Sequence, residues 1–357
     1  MSTTPRQLGK YKLHELLGRG GMAEVWKAYD SQLHRYVAIK LLHANLLADP
    51  DFVTRFTREA RMVAALRHPN IVQIYDFYTP EKNQSGSNQV GTIAYMVMEY
   101  IQGQTLADYI RSTSAKKDFL PPVAIVRLFT PISLALDYAH RQGTIHRDIK
   151  PANILLDQTN TTHNSMGEPV LSDFGIAKVV GAAGQTMTGS LMGTPLYISP
   201  EQVQGQHLTN RSDLYSLAVV LYQILTGVTP FQGEALSALM IKHVMETPPA
   251  PHLVNPDLSP AISELLLRAL AKDPQQRYPS ASAITAAVAQ AFNLPVPPEL
   301  AQAVSLTGDR TIVAGATPRV TLQNGIDPTP ASSMPLMSDL ETIPPSKSIP
   351  NPVTPYP

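Results

Sequence analysis

The hydrophobic period of this chain changes once, near Leu106, and that change limits what it can fold into. Across residues 11–95 apolar and polar side chains alternate between glycine-rich turns, the two-residue repeat of half-buried strands, with one run of helical spacing at residues 52–66. Beyond Leu106 the spacing is mostly helical. A strand-rich part carrying one helix should therefore be followed by a helical part. Internal repeats are absent from the sequence, and the polar stretches at residues 79–92 and 157–168 read as surface loops between strand-like runs.

The helical part holds a stretch without charge at residues 214–233. Its apolar block stops at Thr226, with Gly227, Thr229 and Pro230 following, so it suits a buried core helix better than a membrane span. Residues 1–10 contain no apolar signal core. Together these features predict a cytoplasmic chain with no transmembrane segment. Proline marks the other boundary, since 13 of the 32 prolines lie in the final 63 residues. Such a segment buries too little apolar surface to offset its ordering entropy, and residues 293–357 are expected to be a disordered Pro/Ser/Thr-rich tail. The 28 basic and 28 acidic residues cancel, leaving no basic footprint for nucleic acid. With no cysteine, disulfides, thiolate metal sites and cysteine nucleophiles are excluded.

The chemistry lies in three runs. Leu17-Gly18-Arg19-Gly20-Gly21-Met22-Ala23-Glu24-Val25 follows G-x-G-x-x-G-x-V, with Ala23 in place of the last glycine. Glycines let backbone N–H groups close over phosphates, although alone this run describes a tight turn equally well. Val37-Ala38-Ile39-Lys40 comes next, and the strand period puts Ala38 and Lys40 on one face. In the following helix Phe56, Ala60 and Val63 make the apolar stripe, with Glu59 beside it, either solvated or a partner for Lys40. Finally His146-Arg147-Asp148-Ile149-Lys150-Pro151-Ala152-Asn153 fits H-R-D-x-K-P-x-N, and 25 residues after Asp148 comes Asp173-Phe174-Gly175.

With these motifs in register, the sequence closely resembles the eukaryotic-like serine/threonine protein kinases of bacteria over residues 11–292. The resemblance implies an α+β, bilobal protein-kinase fold. A β-rich N-lobe with one regulatory helix would occupy about 11–98, the hinge 99–103 and a mainly helical C-lobe 104–292, after an N-terminal extension at 1–10. It further implies ATP and Mg²⁺ as cofactors and protein Ser/Thr hydroxyls as acceptors. Leu17, Gly18, Arg19, Gly20 and Gly21 would cover the triphosphate, Lys40 would hold the α- and β-phosphates and be held by Glu59, and Asn153 and Asp173 would ligate the metal. Asp148 would accept the hydroxyl proton and Lys150 would neutralise the γ-phosphate. The adenine would lie among Val25, Ala38 and Leu155, with Met98 as gatekeeper and Glu99, Tyr100 and Ile101 in the hinge. Asp108 is expected to contact the ribose or to be an ordinary helix-start carboxylate.

On the same resemblance His146 packs under Phe174, Glu201 pairs with Arg277, Asp213 ties the catalytic loop to the core, and Thr194 touches Asp148 and Lys150. Arg147 supplies a cation for an activation segment autophosphorylated at Thr186 and Thr188, by transient homodimers acting in trans. Threonines of the tail could dock a phosphothreonine-reading module of the forkhead-associated type. Pro131 is expected to kink the helix at residues 123–140. A nucleotide-holding pseudokinase and a small-molecule kinase are the competing readings. The first is disfavoured by the presence of Lys40, Asp148, Asn153 and Asp173, the second by the segment at residues 194–201.

Overall fold

A computed structural model describes residues 7–43, 46, 50–79, 94–114, 119–175, 195–233 and 235–307. Thr186, Thr188, Thr194 and the tail beyond Thr307 lie outside these residues. The chain divides into a unit ending at Pro318 and a second, Arg319–Pro357, which also falls outside them.

In the first unit, strands β1 (Gln7–Leu8), β2 (Tyr11–Arg19), β3 (Ala23–Asp30), β4 (Arg35–Leu42), β5 (Ile74–Tyr78) and β6 (Tyr95–Glu99) form an antiparallel sheet in the order β1-β2-β3-β4-β6-β5. Alternation sorts its two faces. Leu8, Tyr11, Leu13, Ala28, Val37, Ile39 and Leu41 form a small core on one side, while Ala38 and Lys40 project from the other. Helix α1 (Pro50–Ala64) buries Phe52, Phe56, Ala60 and Val63, a stripe at helical spacing, in the principal core.

The helical part begins with β7 (Gly103–Thr105), α2 (Leu106–Ser114) and α3 (Pro122–Arg141). A second sheet, β7-β8-β9, is completed by β8 (Ile154–Asp157) and β9 (Glu168–Leu171), with one 3₁₀ turn at Pro151–Asn153 ahead of β8. Then follow α4 (Pro200–Val203), α5 (Asn210–Thr226), α6 (Leu236–Met245), α7 (Pro251–Val254), α8 (Pro260–Ala269), α9 (Ala281–Ala291) and α10 (Pro298–Thr307). The charge-free stretch becomes α5, the buried axis of this part. The side chain of Thr209 caps its first turn, and Gly227, at φ 81°, ends it.

Among the described residues the helix long and apolar enough to cross a membrane is α3, and most of its apolar window is buried inside the fold. It stays one continuous helix through Pro131. The tail starts later than residue 293. Leu294 and Val296 pack on the core, and α10 buries Leu300 and Ala303 against α9 and α3.

Candidate functional site

Strand β4 carries Lys40 opposite Val25 on β3 and Met96 on β6, two residues from Ala38 of a small apolar slot. Ala38, Val72, Met98 and Val170 form that slot, with Val25, Ile101 and Leu155 packed against them. Five of the residues expected around an adenine are therefore together. Leu17 is exposed on β2, and Arg19 pairs with Glu24 across the β2–β3 turn at 2.9 Å. An added Cβ at Gly18 would meet nothing within 4 Å. Packing within the protein does not demand glycine there, whereas close approach of backbone to a phosphate would.

The residues of the 146–153 loop bond to one another. Asp148 accepts from Lys150 Nζ at 2.8 Å and from Asn153 Nδ2 at 2.9 Å, and Asn153 also donates to the Asp148 carbonyl at 2.8 Å. The loop is suspended from α5. Asp213 Oδ2 accepts the backbone N–H of His146 at 2.8 Å and His140 Nε2 at 2.7 Å, while Oδ1 accepts the N–H of Arg147 at 2.7 Å. Burial alone would raise the Asp213 pKa, but the His140 hydrogen bond and its neighbours hold it below the ordinary aspartate value. Fully buried His146 stacks on Phe174 with centroids 4.3 Å apart. Its Nδ1 accepts the Asp148 N–H at 3.3 Å, which assigns the proton to Nε2, donating to the Ser172 carbonyl at 3.0 Å. Burial lowers its pKa, so the ring is neutral and orients the loop.

The charge pairing differs from expectation. Lys40 Nζ binds Asp173 Oδ1 at 2.7 Å, and Glu59 Oε2 accepts from Arg147 at 3.1 Å, so the expected Lys40–Glu59 pair is not the one formed. Nor does Arg147 wait as an unengaged cation. The physical reason is the placement of α1, whose stripe is seated in the core so that Glu59 meets the catalytic loop. Burial would raise the Asp173 pKa, yet the attraction of Lys40 lowers it, keeping the carboxylate ionised.

Asn153 spends its amide N–H on Asp148, which leaves its carbonyl oxygen, with Asp173, as a hard-oxygen pair. No cluster of three or more His, Asp or Glu that could hold a metal unaided occurs among the described residues. The Asn153–Asp173 oxygens are of the kind that suits Mg²⁺, which completes its shell with phosphate and water. Asp108 forms a reciprocal capping box with Thr105, 2.7 Å from its hydroxyl, and meets Arg111 at 3.0 Å, which fills the helix-start alternative. Glu201 and Arg277 form the anticipated buried pair, at 2.8 and 3.0 Å.

Sequence reading missed His140 and Gln202. His140 had a signal, lying four residues after buried Leu136 on α3. Gln202, whose Nε2 donates to the Arg147 carbonyl at 2.8 Å, had none.

Comparison with known proteins agrees with this geometry. Residues 11–290 match the model of the protein kinase domain. A probable serine/threonine-protein kinase of Streptomyces coelicolor is 44% identical over 78% of this chain. Serine/threonine-protein kinase PknB of Mycobacterium tuberculosis is 40% identical over 82% of it. The match spans 39% and 44% of the lengths of those two relatives. Among solved structures, the Mycobacterium tuberculosis PknI kinase domain superposes with a TM-score of 0.62 at 26% identity, covering 82% of this chain and all of that one.

Proposed function

The chain belongs to the protein kinase family, and from that premise we propose that it transfers the γ-phosphoryl group of ATP to serine or threonine hydroxyls of protein substrates. The observation that carries this is Asp148, fixed by Lys150 and Asn153, in a fold that also forms the Lys40–Asp173 pair and the apolar cluster around Ala38. Asp148 accepts the proton of the attacking hydroxyl as its oxygen bonds to phosphorus and the bond to the ADP oxygen breaks. Lys150 draws the transferred charge toward Asp148. Lys40 binds the α- and β-phosphates, the Gly18 turn lies over them, and the hinge at Glu99 to Ile101 meets the adenine. The carboxylate of Asp108 stands ready for the ribose, beside its capping role. Asn153 and Asp173 would hold Mg²⁺, which neutralises phosphate charge.

Regulation follows from the same pairs. A phosphate on Thr186 or Thr188, made in trans by a second copy, competes with Glu59 for Arg147, and the released Glu59 pairs with Lys40. Phosphorylated tail threonines then offer docking to a forkhead-associated type of reader, and the kinase works in the cytoplasm.

The test uses purified protein, γ-labelled ATP, Mg²⁺ and a casein acceptor. Label should appear on serine and threonine, fall about 100- to 10,000-fold in Asp148→Asn, and map on the protein itself to Thr186 and Thr188. Unlabelled acceptor and enzyme would overturn the kinase reading, and an active enzyme without modified Thr186 or Thr188 would overturn the switch.

A further inference from the structure

The turn that presents Asp148 is made by a residue in an unfavourable backbone conformation. Arg147 has φ 67°, a region that side chains with a Cβ seldom occupy unless the surroundings hold them there. Two groups grip its peptide units. On one side its N–H donates to Asp213 at 2.7 Å. On the other its carbonyl accepts from Gln202 Nε2 at 2.8 Å, a contact between residues 55 apart in sequence.

Gln202 sits in α4, the short helix that follows the end of the activation segment. Its Oε1 accepts both the Ser199 N–H at 3.0 Å and the Ser199 hydroxyl at 3.1 Å. That is the third position of a capping box, which glutamate serves as well as glutamine. Only glutamine can close the box with its oxygen and still donate an N–H to Arg147. The neighbouring Glu201 is locked to buried Arg277, so the platform beneath Gln202 is rigid. The preceding residues are fixed too, with the Tyr197 hydroxyl on Gln223 at 2.7 Å and the Tyr197 carbonyl on Ser216 at 2.7 Å.

The geometry points to Gln202 as a positioning residue for phosphoryl transfer: its side-chain amide couples the segment at Pro195–Ser199 to the Arg147 turn, and so sets where Asp148 stands relative to an acceptor held by that segment. This rests on the kinase reading above. Gln202 bonds to Ser199 and Arg147, neither of which is assigned to nucleotide binding, so its loss should act on kcat. Nucleotide affinity, set by the slot and Lys40, should stay the same.

Two variants separate the functions of the amide. Gln202→Glu is isosteric and keeps the acceptor for Ser199 but cannot donate to Arg147. Gln202→Met has similar length and keeps neither. Each is phosphorylated by a removable tagged wild-type kinase, and modification at Thr186 and Thr188 is matched by mass spectrometry. Folded sites are counted by nucleotide-binding stoichiometry, so kcat is quoted per competent site.

Both variants should lose kcat by about 10- to 100-fold, the scale of a misplaced catalytic group, with nucleotide Kd within about twofold of wild type on that scale. The Glu variant should retain its melting temperature within about 3 °C. A kcat per site within twofold of wild type in either variant that folds would overturn the assignment, as would a loss confined to nucleotide Kd. An inactive wild type would refute the kinase reading instead.

Discussion

Arg277 is one of the largest fully buried side chains in the protein, and its replacement gives a demanding test of the fold. Its guanidinium makes five hydrogen bonds: Nε to the Ala271 carbonyl, one terminal nitrogen to Glu201 and Arg211, the other to Glu201 and Lys272. The donor capacity of an arginine is thereby used up. Arg277→Met removes the charge while leaving Glu201 buried at 3% exposure. Stranding one member of such a pair costs about 3–5 kcal/mol. At about 2–4 °C per kcal/mol for a large domain, the midpoint should fall by about 6–20 °C at pH 7. Glu201→Met on the Arg277→Met background should recover much of that loss, because removing both charges also removes their desolvation cost. Scanning calorimetry of wild type, both single variants and the double variant supplies the numbers. Arg277→Met melting within about 2 °C of wild type, or a double variant no more stable than the single ones, would refute the reasoning. The pH dependence has a definite sign. Burial would raise the Glu201 pKa, but Arg277 holds it below the ordinary glutamate value of 4.5 in the folded state. Its stabilisation is present above that value and is lost as pH falls through the lower, folded pKa.

A second acid-labile contribution lies at His243, which is fully buried, accepts from or donates to the Tyr215 hydroxyl at 3.1 Å, and has its pKa lowered by burial from 6.5 to about 4. The unfolded chain therefore binds the extra proton first, so stability should decline by about 3 kcal/mol as pH drops from 6.5 to about 4. Urea midpoints of wild type and His243→Leu across that window should converge at the acidic end. Gly227→Ala places a Cβ at φ 81° and 3.4 Å from Phe119, and should cost about 1–2 kcal/mol in the same denaturation assay. Lys40→Met should abolish labelling of the acceptor and, with its cation gone, let the Asp173 pKa rise toward and above the usual aspartate range, read by carboxyl chemical shifts on titration.

The parts of the site written in contiguous runs were legible. His146 to Asn153 fold on themselves, so their identities and spacing already state that Asp148 will meet Lys150 and Asn153. The slot was legible for a related reason, since strand alternation puts Val25 and Ala38 on the face that Lys40 shares. Partner choice between distant charges was not. The sequence offers Lys40 two carboxylates, and whether it meets Asp173 or Glu59 is decided by how α1 is seated on the core, a tertiary quantity. Gln202 was invisible because its cap to Ser199 is local while its bond to Arg147 crosses to another element. The start of the tail is not legible in the same way, because Pro298 reads as a disorder signal in a proline-rich stretch, whereas a proline in the first turn of a helix is favourable.

That last helix bears on how the catalytic portion should be produced. Leu300 has no exposed surface, seated against α9 and α3. A gene truncated after Phe292, where the kinase-like sequence ends, would delete Leu294, Val296 and Leu300 and uncover the oily berth they cover. The shortened product should come out of cells as sticky aggregate, whereas a stop codon placed after Thr307 keeps the seal intact.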